Sequence, residues 1–386
     1  MYKIGREEAE AASRVIESGE LFRIGGKYRE VIQFEEEFKK KMGAEHCLLM
    51  TNGTQAIAAS LAALGIGPGD EVIVPGYTFI ATAIAVLSVG AIPVIAEIDE
   101  SLTIDPDDVE KKISRYTKAI VPVHMVGFPC NMKRIMEIAE KYNLYVVEDA
   151  CQACGGQFGG RYLGTFGNFG AFSFNYFKIL TAGEGGALIT NDIKKYERAI
   201  IYHDCGTAFW SYEQPITEPL FSGANMRSNE ITGAILRVQL TRLDDILSHL
   251  RGHKKKLMDM LNGVPGIRFN RSNDINGDCG TWIPFIFDTA EQAEKFELAV
   301  GGTRPINTGK HVYENWVPIL EKRGAHCDAM NPYRFAANAG LNMDARRDSC
   351  PKILDYLSRT VYIGTSYDMS DEYIESIAEK CVSAVK

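Results

Sequence analysis

The sequence lacks an excess of positive charge. It has 42 Lys and Arg against 50 Asp and Glu, a formal net charge of −8 over 386 residues. Nucleic-acid-binding surfaces are marked by clustered Lys and Arg, so we expect no nucleic-acid partner. The basic run 253–256 lies in a helix-like pattern and is interpreted as a solvated helix face.

The sequence also lacks an apolar leader and an uninterrupted apolar span. Residues 1–20 are charged and contain no apolar signal region. The uncharged run from Val72 to Ala96 is cut by prolines and glycines, so it is interpreted as strand, loop, short helix and strand of a buried core. We therefore expect a cytoplasmic protein with no membrane partner.

No second cysteine pair accompanies the single C-x-x-C motif at Cys151 and Cys154. No His, Cys and Asp cluster with metal-ligand spacing lies near it, so we expect no metal site. The nine cysteines are typical of free thiols in a reducing cytoplasm. A redox-active dithiol is the alternative to small packing residues at this motif.

The first two thirds of the chain instead alternate apolar strands with helices. The strands are apolar on both faces, which is typical of a mostly parallel sheet covered by helices on both sides. Helical periodicity covers Thr54–Ile66, with Thr54 as a candidate N-cap, and Asn131–Asn143. Strands are predicted at Cys47–Gly53, Glu71–Gly76, Ile92–Asp99, Ala119–Gly127, Leu144–Cys151, Gly170–Asn175 and Gly186–Asn191.

The last third of the chain has a different pattern. A long helical pattern covers Asn229–Leu261, a loop is predicted over Asn262–Gly280, and mixed strands and helices follow without regular alternation. We place a domain boundary near residue 250. The prediction is an α/β domain over residues 1–250 and a smaller α+β domain over residues 251–386.

Several polar residues stand where strands end, and ligands bind at such ends of an open α/β sheet. "TNGTQ", with Gly53, Thr54 and Gln55, joins a strand to a helix start and suits a phosphate, although capping alone also explains it. Asp149 ends a buried strand and needs a partner, which could be a metal, a cation or a protonated heterocycle. Phe79 could stack on a flat ligand or pack in the core.

Lys178 lies inside the apolar stretch "FNYFKILTAGEGG", directly before a glycine turn. Lysine is rarely buried without a partner. A phosphate cradle, a stacking aromatic, a carboxylate and one lysine together describe a site for pyridoxal 5′-phosphate. The lysine would form a Schiff base with the cofactor aldehyde, and the carboxylate would hold the pyridine nitrogen protonated.

The sequence resembles the DegT/DnrJ/StrS family of sugar aminotransferases. The motifs that carry the resemblance are "GGKYREVIQFEEEF", "TNGTQA", "VIVPGYTFIATA", "VVEDACQA", "GAFSFNYFKILTAGEGGALIT" and "NMRSNEITGAILRVQL". The resemblance implies fold type I of pyridoxal phosphate enzymes, with a mostly parallel sheet of about seven strands in a large domain, and a small carboxyl-terminal domain. It also implies a homodimer in which both subunits build each active site.

The resemblance assigns roles to individual residues. Lys178 resembles the catalytic lysine that carries the cofactor, Asp149 the partner of the pyridine nitrogen, Gln152 the residue near the ring hydroxyl, and Phe79 the stacking aromatic. The residues that match the phosphate cradle are Gly53, Thr54, Gln55, Ser173 and, reaching across from the other subunit, Asn225. Arg227 and His311 are candidates for binding the substrates.

The resemblance also implies the reaction, which is transfer of an amino group from L-glutamate to a keto or aldehyde sugar. A lysine at position 178 favours transamination over the sugar dehydration of a family branch that has histidine there. Asn175 departs from the histidine common at its position. The unusual "FNYFK" and Tyr356–Ser370 favour 8-oxo-3-deoxy-octulosonate as substrate, for lipopolysaccharide synthesis. Nucleotide-linked 3- or 4-keto sugars and cyclitol ketones are the alternatives.

Overall fold

The structure is a computed structural model, and it describes residues 3–23, 27–206 and 215–386. Gly25 and Gly26, which open the first of the motifs quoted above, lie outside the described residues. All of the site residues named above lie within them.

Seven strands form one large sheet in the order β1-β9-β8-β5-β4-β2-β3. Six of them run in the same direction and β9 runs against both of its neighbours. Two further pairs form small antiparallel sheets. The strands are β1 His46–Met50, β2 Glu71–Pro75, β3 Ile92–Ala96, β4 Thr117–Ile120, β5 Tyr145–Asp149, β6 Gln157–Phe158, β7 Arg161–Tyr162, β8 Phe169–Ser173, β9 Gly186–Thr190, β10 Trp282–Ile286 and β11 Thr360–Gly364.

The seven predicted strands are confirmed, and with them the mostly parallel α/β fold. All residues of β2, β3, β8 and β9 are buried, as expected for strands covered on both faces. The strand predicted over Ala119–Gly127 is too long, because β4 ends at Ile120. Pro122 follows, and a proline has no N–H to donate to a neighbouring strand.

Helices cover both faces of the large sheet and build the carboxyl-terminal region. They are α1 Arg6–Ser18, α2 Glu30–Met42, α3 Gly53–Ala63, α4 Ala81–Ser88, α5 Pro106–Lys112, α6 Met132–Tyr142, α7 Ile193–His203, α8 Glu230–Thr241, α9 Leu243–Leu261, α10 Ala290–Val300, α11 Val317–Leu320, α12 Pro351–Ser358 and α13 Asp371–Ala384. The pattern over Asn229–Leu261 forms two helices, α8 and α9, separated at Arg242.

The cap predicted for α3 is wrong. Asn52, not Thr54, is the N-cap, and its side-chain oxygen accepts a hydrogen bond from the Gln55 N–H at 2.9 Å. Thr54 lies inside the first turn. Asparagine is as good an N-cap as threonine, so residue type alone could not choose between the two.

Helix α9 takes part in two hydrophobic cores. Its first half, with Leu243 and Leu250, packs in the core of the large sheet, and its second half, with Leu257 and Leu261, packs against β10 and β11. The change between cores falls between Leu250 and Leu257, and the domain boundary near residue 250 stays a prediction. The region that follows is not one unit, because Tyr313, Trp316 and other residues of segment 305–358 return to the core of the large sheet.

Candidate active site

The predicted site residues meet at one edge of the large sheet. Strands β1, β2, β5 and β8 run in the same direction, so their carboxyl ends lie at the same edge. Each strand end leads to one part of the site. Strand β1 leads to the start of α3, β2 to the turn before α4, β5 ends at Asp149, and β8 leads to the Lys178 loop. This is the edge at which open α/β sheets bind their ligands.

Gly53 allows the start of α3 to approach β8 closely. A Cβ at Gly53 would lie 2.6 Å from the Cys151 Sγ and 2.9 Å from the Ser173 Cβ, so no other residue fits without movement. The first N–H groups of a helix have no acceptor inside the helix, and they carry the positive end of its dipole. With Thr54, Gln55 and Ser173 around it, this helix start has the chemistry of a phosphate cradle.

Asp149 is 5% exposed and keeps its carboxylate at the sheet edge. Its Oδ2 accepts a hydrogen bond from the Thr82 hydroxyl at 2.8 Å, and its Oδ1 accepts one from the Cys151 N–H at 3.1 Å. Thr82 lies in the first turn of α4 and also contacts the Thr78 hydroxyl at 2.9 Å. These donors fix the orientation of the carboxylate at the sheet edge, which suits a contact with a protonated ring nitrogen.

The neighbouring carboxylate, Glu148, has a different task. Because successive strand residues point to opposite faces, it points away from Asp149 into the protein. There it is fully buried and accepts hydrogen bonds from the ring of His124 and from the backbone N–H groups of Gly164, Phe166 and Gly167, at 2.6–3.1 Å. Only Asp149 of the two acidic residues therefore serves the site.

Lys178 is half-buried in the loop that follows β8. Its amine lies close enough to interact electrostatically with Cys151 and His311, and this interaction acts to lower the pKa of each. Burial outweighs this for Cys151 and raises its thiol pKa well above the ordinary value. Gly183, at φ +85°, turns the chain back so that its carbonyl accepts the Tyr176 N–H at 3.0 Å. The glycine turn thus closes the loop around the lysine.

Asn175 makes its contacts within this same loop. Its Nδ2 donates to the Glu184 Oε1 at 2.9 Å, and its Oδ1 accepts the Phe177 N–H at 3.2 Å. The side chain at the position where the family often has histidine therefore braces the loop.

Phe79 and His311 form the open side of the site. Their ring centroids are 5.4 Å apart, and Phe79 remains 42% exposed, which leaves it surface for a flat ligand. Two backbone bonds of 3.0 Å, from the Thr78 N–H to the His311 carbonyl and from the Ile80 N–H to the Lys310 carbonyl, join the two turns.

The imidazole of His311 is held as a neutral acceptor. Burial and the Lys178 ammonium lower its pKa, although a hydrogen bond to the Thr308 carbonyl opposes them. That bond, 3.2 Å from Nδ1, places the proton on Nδ1. The Nε2 lone pair is then available to accept a hydrogen bond from a substrate.

Gln152, Asn225 and Arg227 lie around this centre. The Oε1 of Gln152 accepts the Val126 N–H at 3.2 Å. Asn225 is exposed and stands next to Met226, whose carbonyl accepts the Thr51 N–H at 3.1 Å, beside the end of β1.

Arg227 is occupied within its own chain. Its guanidinium pairs with the fully buried Asp204 and lies over the Phe22 ring, 5.6 Å from the centroid. Binding a substrate carboxylate would have to compete with this buried ion pair, so the role of Arg227 in substrate binding stays a prediction.

The sequence reasoning missed Thr82, His124 and Asn52. Thr82 had a usable signal, because it stands three residues after Phe79 at the start of a helix and so faces the same side. His124 had none, since its partner Glu148 becomes adjacent only when β4 and β5 pair.

The two cysteines of the C-x-x-C motif are free thiols. Burial raises the pKa of Cys154 to about 12, and Cys151 is also shifted upward, so neither has the low pKa of a reactive thiol. Across residues 3–23, 27–206 and 215–386, no group of three or more His, Cys, Asp or Glu is placed to hold a metal ion. No helix in those ranges is both long and apolar enough to cross a membrane.

Residues 2–381 match the sequence profile of the DegT/DnrJ/EryC1/StrS aminotransferase family. One relative, the L-glutamine:2-deoxy-scyllo-inosose aminotransferase of Streptomyces kanamyceticus, is 38% identical over 68% of this chain and 64% of its own length. The dTDP-3-amino-3,6-dideoxy-alpha-D-galactopyranose transaminase of Aneurinibacillus thermoaerophilus is 42% identical over 62% of this chain and 64% of its own.

A third relative, the spore coat polysaccharide biosynthesis protein SpsC of Bacillus subtilis, is 30% identical over 99% of this chain and 95% of its own length. Among solved structures, 3-amino-5-hydroxybenzoic acid synthase superposes with a TM-score of 0.79 and 28% identity, covering 99% of this chain and 97% of that one.

Proposed function

Because the chain belongs to the DegT/DnrJ/EryC1/StrS aminotransferase family and is a pyridoxal phosphate-dependent transaminase, we propose that it transfers the amino group of L-glutamate to a carbonyl sugar. One observation carries the proposal. Three groups of the site all lie next to Cys151. They are the close-packed start of α3, the buried Asp149 and the half-buried Lys178.

The residues around that point fit each part of the cofactor. Gly53 and its neighbours in α3, with Ser173, would hold the phosphate, and Asp149 would pair with the protonated pyridine nitrogen. Phe79 would stack on one face of the ring, and Gln152 would contact its hydroxyl. When bound, the cofactor supplies an electron sink for the carbanion formed at the amino donor.

Lys178 moves the protons in this proposal. Its Nζ would carry the cofactor at rest. Once released, the amine would take a proton, in each half of the reaction, from the carbon that loses the amino group and return one to the carbon that gains it. General acid–base catalysis of this kind contributes about 10²–10⁴-fold to the rate. His311 accepts a hydrogen bond from a sugar hydroxyl through Nε2 and does not itself move the proton.

For the sugar, we propose 8-oxo-3-deoxy-octulosonate, converted to the 8-amino-3,8-dideoxy sugar of lipopolysaccharide. Lys310 supports a substrate that carries an anionic group. It is exposed beside His311 and forms no ion pair within the described part of the chain. The second candidate is a nucleotide-linked keto sugar, favoured by the relative named as a dTDP-sugar transaminase, and its diphosphate would also suit Lys310.

The active site is proposed to be completed by a second subunit. Asn225 is exposed in the single chain, as a residue that reaches the phosphate of the other subunit must be. Tyr176 and Phe177, whose ring centroids are 5.3 Å apart, are 54% and 71% exposed, although contiguous large aromatic surfaces are seldom left in water. All nine cysteines are free thiols, which supports our placing the homodimer in the cytoplasm.

Single turnovers on candidate sugars test the proposal. The protein is loaded with pyridoxamine phosphate and mixed with the octulosonate aldehyde, a dTDP-linked keto sugar and a cyclitol ketone in turn. Return of the pyridoxal phosphate absorbance identifies the substrate, and Lys310→Gln should slow that return for an anionic sugar only. Rapid return with a neutral cyclitol and none with the octulosonate contradicts the substrate assignment.

A further inference from the structure

The turn beside Gln152 contains a residue in an unfavourable backbone conformation. Val126 has φ +48° and ψ +27°. This left-handed region is rarely occupied by a residue branched at Cβ. Such strain persists only where the surrounding structure holds it in place, and it clusters at functional sites.

The carboxyl-terminal sheet holds this turn. The Thr281 hydroxyl donates to the Val126 carbonyl, and the Cys279 N–H donates to the Gly127 carbonyl at 3.1 Å. Thr281 directly precedes β10, and its own carbonyl accepts the N–H of Thr365, directly after β11, at 3.0 Å. The segment before β10 therefore holds the turn directly, and the end of β11 holds that segment in place through Thr281.

The Val126 turn in its turn fixes the orientation of the Gln152 side-chain amide. The Val126 N–H donates to Oε1 at 3.2 Å, which assigns that atom as the oxygen, because a reversed amide would place NH₂ against N–H. The Nε2 group is left with the Met125 Sδ, a weak acceptor, at 3.3 Å. At least one amide N–H is thus free to donate elsewhere.

We propose that Thr281 is a positioning residue. It holds the Val126 turn so that the Gln152 Nε2 donates a hydrogen bond to the oxygen of the ring hydroxyl of pyridoxal phosphate. This inference rests on the proposed function, which takes Gln152 as the residue at the ring hydroxyl. Thr281 touches neither cofactor nor substrate in this arrangement. It connects the carboxyl-terminal sheet to the cofactor site through one turn.

The test compares pyridoxal phosphate with 3-deoxypyridoxal phosphate. The analogue lacks the ring hydroxyl but can attach to Lys178 in the same way. Binding of each compound to the full-length protein, freed of cofactor, is measured by absorbance titration. Thr281→Val should weaken binding of pyridoxal phosphate about five- to tenfold, the value of one lost hydrogen bond, and change binding of the analogue less than about twofold. Thr281→Ser, which keeps the hydroxyl, should restore the wild-type ratio.

Gln152→Ala should produce the same selective loss, and the double variant with Thr281→Val should lose nothing more, because both changes remove one interaction. Thr281→Ala removes the same hydroxyl without adding a methyl group, so it tests the inference if Thr281→Val does not fold. Equal losses for both compounds, additive losses, or no loss overturn the inference. If the wild-type protein binds neither compound, the proposed function itself fails.

Discussion

The cofactor side of the site, where Asp149 is 5% exposed, is built from strand ends. The substrate side, where His311 lies against Phe79, is built from short turns, and Phe79, which is 42% exposed and would stack on the cofactor, borders both sides. On the first side, neighbouring strands fix the position of each group by their register. On the second, Phe79 and His311 depend on two backbone bonds between turns. Loops held on a rigid scaffold are where related proteins commonly vary, so we expect the sugar to be selected on the second side.

The largest expected effect is on the cofactor side, from Lys178→Ala. The substitution removes the group that is proposed to move the proton, so turnover should fall at least about 10³-fold. The variant should also lose the absorbance of covalently bound cofactor. The exposed Lys118 offers a matched control, since Lys118→Ala should keep both properties. A Lys178→Ala protein with normal turnover contradicts the role of this residue.

Asp149→Asn should lower kcat/KM about 10²- to 10³-fold, the usual cost of removing a preorganised electrostatic contact. The amide keeps the shape of the side chain but cannot balance a protonated ring nitrogen. Glu148→Gln is the comparison, because it faces the interior and should mainly lower the melting temperature. Equal losses of kcat/KM from the two substitutions would contradict the assignment of Asp149 to the cofactor and of Glu148 to structural support.

Thr82→Val should lower kcat/KM about tenfold, because a buried hydrogen bond to a charged group is lost. Thr82→Ser keeps the hydroxyl and should recover most of the rate. Failure of the serine variant to recover it would show that the methyl group, and not the bond to Asp149, is what matters.

On the substrate side, His311→Phe tests the proposed hydrogen bond between the sugar and the His311 Nε2. It keeps a ring against Phe79 but removes the Nε2 acceptor, so the KM for the sugar should rise about fivefold, the cost of one hydrogen bond. Stopped-flow measurement of the two half-reactions should show a larger loss with the sugar than with the amino donor. An equal loss in both would place His311 in the shared chemistry.

The last expected effect concerns stability and not catalysis, and it is a pH dependence at His203, a fully buried residue at the end of α7. Burial, with Arg23 and Arg227 nearby, lowers its pKa well below the ordinary value of 6.5. The unfolded chain takes up this proton below about pH 6.5 and the folded chain does not, so stability falls as the pH drops, by up to about 1.4 kcal/mol per pH unit. His203→Gln should reduce the fall in melting temperature between pH 6.5 and 5. A fall as steep as that of the wild-type protein would contradict this.

The two sides also differ in how far the sequence predicted them. The strands that end at Asp149 or lead to Gly53 and Lys178 have continuous apolar runs bounded by turn residues, so local pattern was sufficient to place them. The approach of His311 to Phe79 joins residues far apart in the chain, and no local pattern encodes it. The same holds for the Val126 turn, whose carbonyl accepts a hydrogen bond from Thr281 in another part of the fold.

One absorbance spectrum of the purified protein, recorded before and after L-glutamate is added, tests the central claim most directly. We predict a band of lysine-bound pyridoxal phosphate that converts to the band of the aminated cofactor as glutamate is consumed. A cofactor band that ignores glutamate would contradict glutamate as the donor. No band, even after incubation with pyridoxal phosphate, would contradict the site assigned around Lys178.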